Sequence, residues 1–282
     1  MPITVWQKLL MPAVTAQLLE EGMAEFGGPV VRAGEVMQLS PAELVRSYGL
    51  GGEGLVFPSE PSFVDVLRFE QKPLMRFSTP ELVERPWPTY GTGFLGAPAR
   101  VPVWNLARTR VPVGAEIWRL HADGGEERIA YLDSLARGWS GSRVYFPPLH
   151  LVGARARWNG LDLPAEFVPG EQSMELVWVG GEDVPEGFEA VRPRTHFRVV
   201  PMAECEEIFE VVITARWQGV PVRVLQKDAA DRALVLLENP EWDVVGRIGA
   251  GAVEPGIFEA TVPFAEVTDV ESVANVLATN TA

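Results

Sequence analysis

One five-residue run constrains this chain more than any other feature, because it occurs twice. Ala156-Arg157-Trp158-Asn159-Gly160 returns 59 positions later as Ala215-Arg216-Trp217-Gln218-Gly219, and each copy is followed by an alternating apolar run. A second landmark, Val200-Pro201-Met202-Ala203-Glu204, recurs as Val262-Pro263-Phe264-Ala265-Glu266 at an offset of 62, so the second unit carries three extra residues. A period near 60 in two copies is too long and too sparse for a solenoid and predicts two tandem small domains. Each unit reads as a set of short strands; in the second copy these are 211–217, 220–226, 233–237 and 257–263, with a turn at 228–231 and the extra residues within 239–251. Trp-x-Gly, an alternating strand, a turn and another alternating strand predict a small SH3-like β-barrel, since closure removes the exposed edges of so small a sheet.

The half that precedes the repeats reads differently. Val14, Leu18, Leu19, Met23 and Phe26 recur near helical spacing and predict a helix over 13–26, ended by Gly27-Gly28-Pro29. After a short apolar strand candidate around Val30-Val31, Ser40-Pro41-Ala42-Glu43 is a capping box that starts a second helix, stopped at Gly49. Strands follow at 63–69 and 74–77, then around Val101 and Val103, then Val111 and Val113. Asp123-Gly124-Gly125 closes a hairpin between 117–120 and 129–132. Between them, the Pro- and aromatic-rich stretch over 80–98 is either a packed loop or a contact surface. The expected organisation is therefore mainly β: an α+β domain over 1–150, barrel repeats over 151–209 and 210–272, and a flexible tail over 273–282.

Charge narrows the function. The chain of 282 residues carries a net charge of −14, which argues against nucleic acid as a partner, because phosphates demand Lys and Arg. Residues 1–155 are nearly balanced, with 16 acidic and 15 basic side chains, whereas 156–282 hold 22 acidic and 9 basic. The duplicated half is thus the acidic half, a field that favours a basic protein partner. No apolar run is long enough to span a membrane, no secretory leader is evident, and a lone Cys205 fits a reducing compartment. These features predict a soluble cytoplasmic protein.

Catalytic signatures are missing. Gly49-Leu50-Gly51-Gly52-Glu53-Gly54 follows a helix rather than a strand and lacks Gly-Lys-Ser/Thr, so it reads as a turn cluster and not a phosphate loop. The repeat acts as a control on two further residues: aligned on the Val-Pro-x-Ala-Glu landmark, Cys205 falls opposite Val267 and His196 opposite Phe258, as core residues would. His121 and His150 stand apart from any convergent ligand set, so no metal site, no catalytic residue and no cofactor are expected. One enzymatic reading remains open. Arg76-Phe77-Ser78-Thr79-Pro80 is similar to the arginine and serine elements of ADP-ribosyltransferase folds, which would make Arg76 and Ser78 contacts to NAD, although the spacing differs and the paired glutamates of such enzymes are not evident.

The second repeat, above all Trp217-Gln218-Gly219-Val220-Pro221-Val222-Arg223-Val224 and the run from Val253 to Asp269, resembles small β-barrel modules of actinobacterial proteins found near secreted polymorphic toxins. The family it resembles is the cytosolic immunity factor of tuberculosis necrotizing toxin, over residues 152–272. That resemblance implies a non-enzymatic protein that docks on a toxin domain with a basic face and blocks it. Exposed carboxylates Glu182, Asp183, Glu241 and Asp243 on the long turns would then steer the partner, with Trp178 or Trp242 as aromatic anchors. Trp158 and Trp217, present in both repeats, are expected in the core. A structural scaffold that self-assembles is the remaining alternative.

Overall fold

The computed structural model describes residues 4–79, 93–96, 100–148, 151–181, 183–238, 240–254 and 256–279. The first sheet is built from β1 (Val5–Leu9), β2 (Glu25–Arg32), β3 (Phe63–Glu70), β4 (Phe77–Ser78), β5 (Trp104–Arg110), β6 (Glu116–His121), β7 (Glu126–Ser134) and β8 (Gly138–Ser140). Their order is β4-β5-β2-β1-β3-β6-β7-β8, antiparallel throughout. Two short helices, α1 (Pro12–Glu20) and α2 (Pro41–Ser47), interrupt the strands. The capping box forms as its sequence requires: the Glu43 amide donates to Ser40 Oγ while the Ser40 amide donates to Glu43 Oε2.

The expected order of helices first and strands after does not hold, because β1 precedes α1 and pairs with both β2 and β3. The helix expected over 13–26 stops at Glu20 and the chain turns at Gly22 with φ +68°, where a Cβ would lie 2.3 Å from the Val144 carbonyl oxygen. Phe26 and its glycines then enter β2. Gly28, at φ +83°, sits at a register shift in the β2–β5 ladder, and a Cβ there would meet Ile257 Cδ1 at 2.6 Å. That glycine marks a close approach between the two halves of the chain rather than a helix end. The strand expected over 74–77 shrinks to β4, since Leu74 takes φ +70°, and β5 forms between the valine pairs that were expected to hold strands.

The second sheet holds β9 (Arg155–Trp158), β10 (Leu161–Phe167), β11 (Ser173–Val179), β12 (Glu189–Arg192), β13 (Thr195–Pro201), β14 (Glu207–Trp217), β15 (Val220–Lys227), β16 (Arg232–Leu237), β17 (Gly251–Glu254), β18 (Ile257–Pro263) and β19 (Val267–Thr279). Its order is β12-β13-β11-β10-β9-β14-β15-β16-β18-β17, with β19 on the other edge of β14. The duplicated motif is a two-residue hairpin turn in both copies. Asn159 and Gly160 have φ 49° and 73°, Gln218 and Gly219 φ 50° and 79°, the pair of positive angles that a type I′ turn demands. The second landmark is a 3-10 turn in both, Met202–Glu204 and Phe264–Glu266. The longer β16–β17 connection of the second copy holds α3 (Trp242–Ile248).

Three expectations change here. The repeats are antiparallel sheets and not closed barrels, because β12 pairs only with β13 and β17 only with β18 among the described residues. The division at 209/210 falls inside β14, which pairs β9 through Glu207–Phe209 and β15 through residues 213–217. The tail expected from 273 is strand as far as Thr279, laid along β14.

Each repeat has its own core, with Trp158 and Cys205 in the first and Trp217 and Val267 in the second, and the N-terminal sheet has a third. The equivalence of Cys205 and Val267 is thus packing, and burial pushes the Cys205 thiol up to about 11. No described helix is long and apolar enough to cross a membrane.

Candidate functional site

A cluster of buried charges lies inside the protein, where the two sheets meet. Strands of the first sheet bring Lys8, Glu25, Arg108 and Arg110 to the seam, and strands of the second bring Glu166, Glu210, Arg223 and Glu254, all of them buried. The ties are short. Lys8 Nζ lies 2.8 Å from Glu254 Oε2. Arg108 Nη2 lies 3.2 Å from Glu259 Oε1 and its Nε 4.0 Å from Glu25 Oε2. Arg223 Nη2 donates to Glu210 Oε1 at 2.9 Å, while its Nη1 donates to the Arg108 carbonyl at 2.7 Å.

Arg110 reaches across the seam to backbone carbonyls. Its Nη1 donates to the carbonyls of Ala154 and Ala165 and its Nη2 to that of Val152, at 2.9 to 3.2 Å. Gly153, at φ +82°, lets the β9 approach pass so close that a Cβ there would lie 2.6 Å from Arg110 Cβ. Burial pulls the Arg110 guanidinium below its usual value, an effect opposed by Glu166 and Glu25. Away from this cluster, Glu175 Oε2 and Oε1 accept the amides of Leu135 and Ala136, tying the β7–β8 turn to β11.

Beside Arg110 opens a cleft with an internal volume of about 10 Å³, lined by Lys72, Leu74, Thr109, Glu166, Phe167 and Glu210 among others. Pockets that take drug-sized ligands or cofactors run from about 300 to 1,000 Å³, so a dinucleotide exceeds this space. Arg76, the residue that the ADP-ribosyltransferase resemblance would place on a phosphate, lies 3.7 Å from Glu210 with its guanidinium half-exposed. Ser78 donates weakly to the Asn105 carbonyl at 3.5 Å. Arg76 thus sits at the rim of the seam and Ser78 on the edge strand of the first sheet, and no described group of His, Cys, Asp and Glu converges as a metal site would require.

Glu166 gives the seam a pH dependence. Burial raises its carboxyl to about 7 from 4.5, against the opposing pull of Arg110 and the Phe167 amide; Glu175 adds to the rise and Lys72 opposes it. A carboxyl whose pKa is higher in the folded state than in the unfolded chain binds its proton more tightly when folded. Its contribution to stability is full below about 4.5 and is lost as pH rises through about 7. The shift corresponds to about 3 kcal/mol. Relative to the wild type, Glu166→Gln should therefore gain about 3 kcal/mol between about pH 4.5 and pH 8. Urea denaturation of both proteins across that range measures the difference, and a constant gap would contradict the burial of an ionisable Glu166.

The residues expected to meet a partner are placed as follows. Asp183 is exposed on the β11–β12 connection at φ +54°. Glu241 and Asp243 are exposed at the start of α3, in the equivalent connection of the second repeat. Trp178 is half-buried and packs against the first repeat's core, which makes it a support for the loop rather than a free anchor. Glu182 and the Trp242 side chain lie outside the described residues, as do His150 and most of the 80–98 stretch. His196 sits in β13 opposite Trp178 and Ala190, as a strand residue.

Sequence reasoning missed the seam altogether. Its signal is present in β15, where Val222, Arg223, Val224 and Leu225 are all buried. An alternating strand that then runs through two consecutive apolar residues is a strand covered on both faces. The chain matches no known protein family, no curated protein and no solved structure.

Proposed function

We propose that this chain is a non-enzymatic protein-binding module of the immunity type, a cytoplasmic protein that docks on a toxin domain with a basic face. The observation that carries the reading is the distribution of charge. The seam sets four cations, Lys8, Arg108, Arg110 and Arg223, against the carboxylates of Glu25, Glu166, Glu210, Glu254 and Glu259. Since the buried charges nearly cancel, the excess behind the net charge of −14 lies outside the seam. Equivalent connections of the two repeats carry part of it, at Asp183, Glu241 and Asp243, where it steers a basic partner. The repeats themselves are read as SH3-like modules left open. Support comes from the 3-10 turn before a last strand that returns to the first strand of its own repeat.

The test uses the full chain, because residues 151–282 alone would strip Glu254 of Lys8 and Arg223 of the Arg108 carbonyl. Tagged protein is incubated with native lysate at low and at high salt, and the captured protein is then co-expressed with it in a growth assay. The expected result is one stoichiometric basic protein, toxic alone, neutralised by this chain and released by salt. Asp183→Asn with Glu241→Lys, which keeps a residue tolerant of positive φ at 183, should slow association about tenfold. Capture that ignores both salt and this variant, or a captured protein without toxicity, would remove the basis of the proposal.

A further inference from the structure

The closing strands of the two repeats are equivalent, and only one of them is covered. β14 follows the first 3-10 turn and β19 the second, and each pairs with the first strand of its own repeat. The remaining edge of β14 is occupied along its whole length by β19, running antiparallel. The corresponding edge of β19 has no partner among the described residues. It belongs to a 13-residue strand that exposes Val270, Val273, Val276 and Leu277. Edges of this length are ordinarily blunted by Lys, by Pro, by inward charge or by a bulge, and from Ser272 to Val276 this strand has none of them.

Two register shifts against β14 leave 271–276 as the regular part of β19. An antiparallel pair of identical strands related by a two-fold axis must place one residue opposite itself, because successive residues turn their N–H and C=O groups to opposite edges. With Val273 on that axis, Val270 faces Val276 of the second copy, and Ser272 faces Ala274. Glu271 then faces the second copy's Asn275, whose Nδ2 is buried without a hydrogen-bond partner in the single chain. The only acids of the strand, Asp269 and Glu271, meet no like charge in this register.

We propose that the protein forms a two-fold dimer by antiparallel pairing of β19 with β19 of a second copy, centred on Val273. This inference is independent of the toxin-binding reading, which rests on the loops of the repeats. Sedimentation velocity of the full chain over a roughly hundredfold range of concentration should show the 31.0 kDa species giving way to one of twice that mass. Val273→Lys, a change at an exposed position, sets two ammonium groups across the axis and should hold the chain monomeric, whereas Val199→Lys, on the exposed face of β13, should dimerise as the wild type does. Val273→Cys tests the register without adding charge. Mild oxidation should join the introduced thiol to the same position of the second copy, with Cys205 buried and out of reach, while Val276→Cys should stay uncross-linked. A wild type that remains monomeric throughout, a Val273→Lys chain that dimerises equally well, or cross-linking of both cysteine variants alike would overturn the proposal.

Discussion

Arg110→Met should lower the unfolding free energy by roughly 3–5 kcal/mol, more than any surface substitution in this chain. The side chain of methionine fills much of the arginine stem's volume, so the loss is electrostatic and directional. The carbonyls of Val152, Ala154 and Ala165 each lose a donor inside the protein, Ala154 keeping only the Ala165 amide, and Glu166 loses the cation that opposes its burial. Arg110→Lys should recover only part of the loss, because an ammonium lacks the planar fork that reaches carbonyls on two sides. Urea titration followed by tryptophan fluorescence measures all three proteins, and a loss below about 1 kcal/mol for Arg110→Met would mean that Arg110 does not hold the halves together.

Lys8→Met is the second large effect, and its interest lies in its reversal. Lys8 and Glu254 are almost fully buried and 2.8 Å apart. Removing the lysine leaves a carboxylate in the interior, at an expected cost of about 3–5 kcal/mol. Removing both charges, in Lys8→Met with Glu254→Leu, should bring stability back to within about 1 kcal/mol of the wild type, since a matched apolar pair carries no desolvation penalty. The double-mutant cycle reads the coupling directly. Additive losses from the two single substitutions would show that the pair does not act as a unit.

These two sites also mark where the sequence stopped being informative. The strands of the repeats were legible because alternation and the Trp-x-Gly turns are local, and the turn angles at Asn159 and Gln218 follow from that motif. Ser40 and Glu43 fixed the start of α2 for the same reason. Phe26 was misplaced because β2 exists only through its neighbours β1 and β5, which override the glycines in it. Val273 was assigned to a tail because its partner, Val212, lies far upstream on a strand already paired along its other edge. Charged residues such as Lys8 and Glu254 look alike on a surface and in a seam, and nothing in their local pattern names the opposite half. The exposed acids on the repeat loops were legible as a class, whereas the role of Trp178 depended on packing against the first repeat's core.

The seam also sets a schedule. Arg223 and the Arg108 carbonyl that it binds are 115 positions apart, and at bacterial or eukaryotic rates of synthesis that separation takes about 6–23 s to be made. Lys8 waits longer still, for a glutamate close to the other end of the chain. Throughout that interval the first sheet must keep Lys8, Arg108 and Arg110 hydrated, and its seam face cannot dry. The seam can therefore close only once β15 and β17 have been made, so the contacts that join both halves are among the last to form during synthesis. Conditions that shorten the time before aggregation, such as heat or high expression, will act on this waiting form rather than on the finished protein.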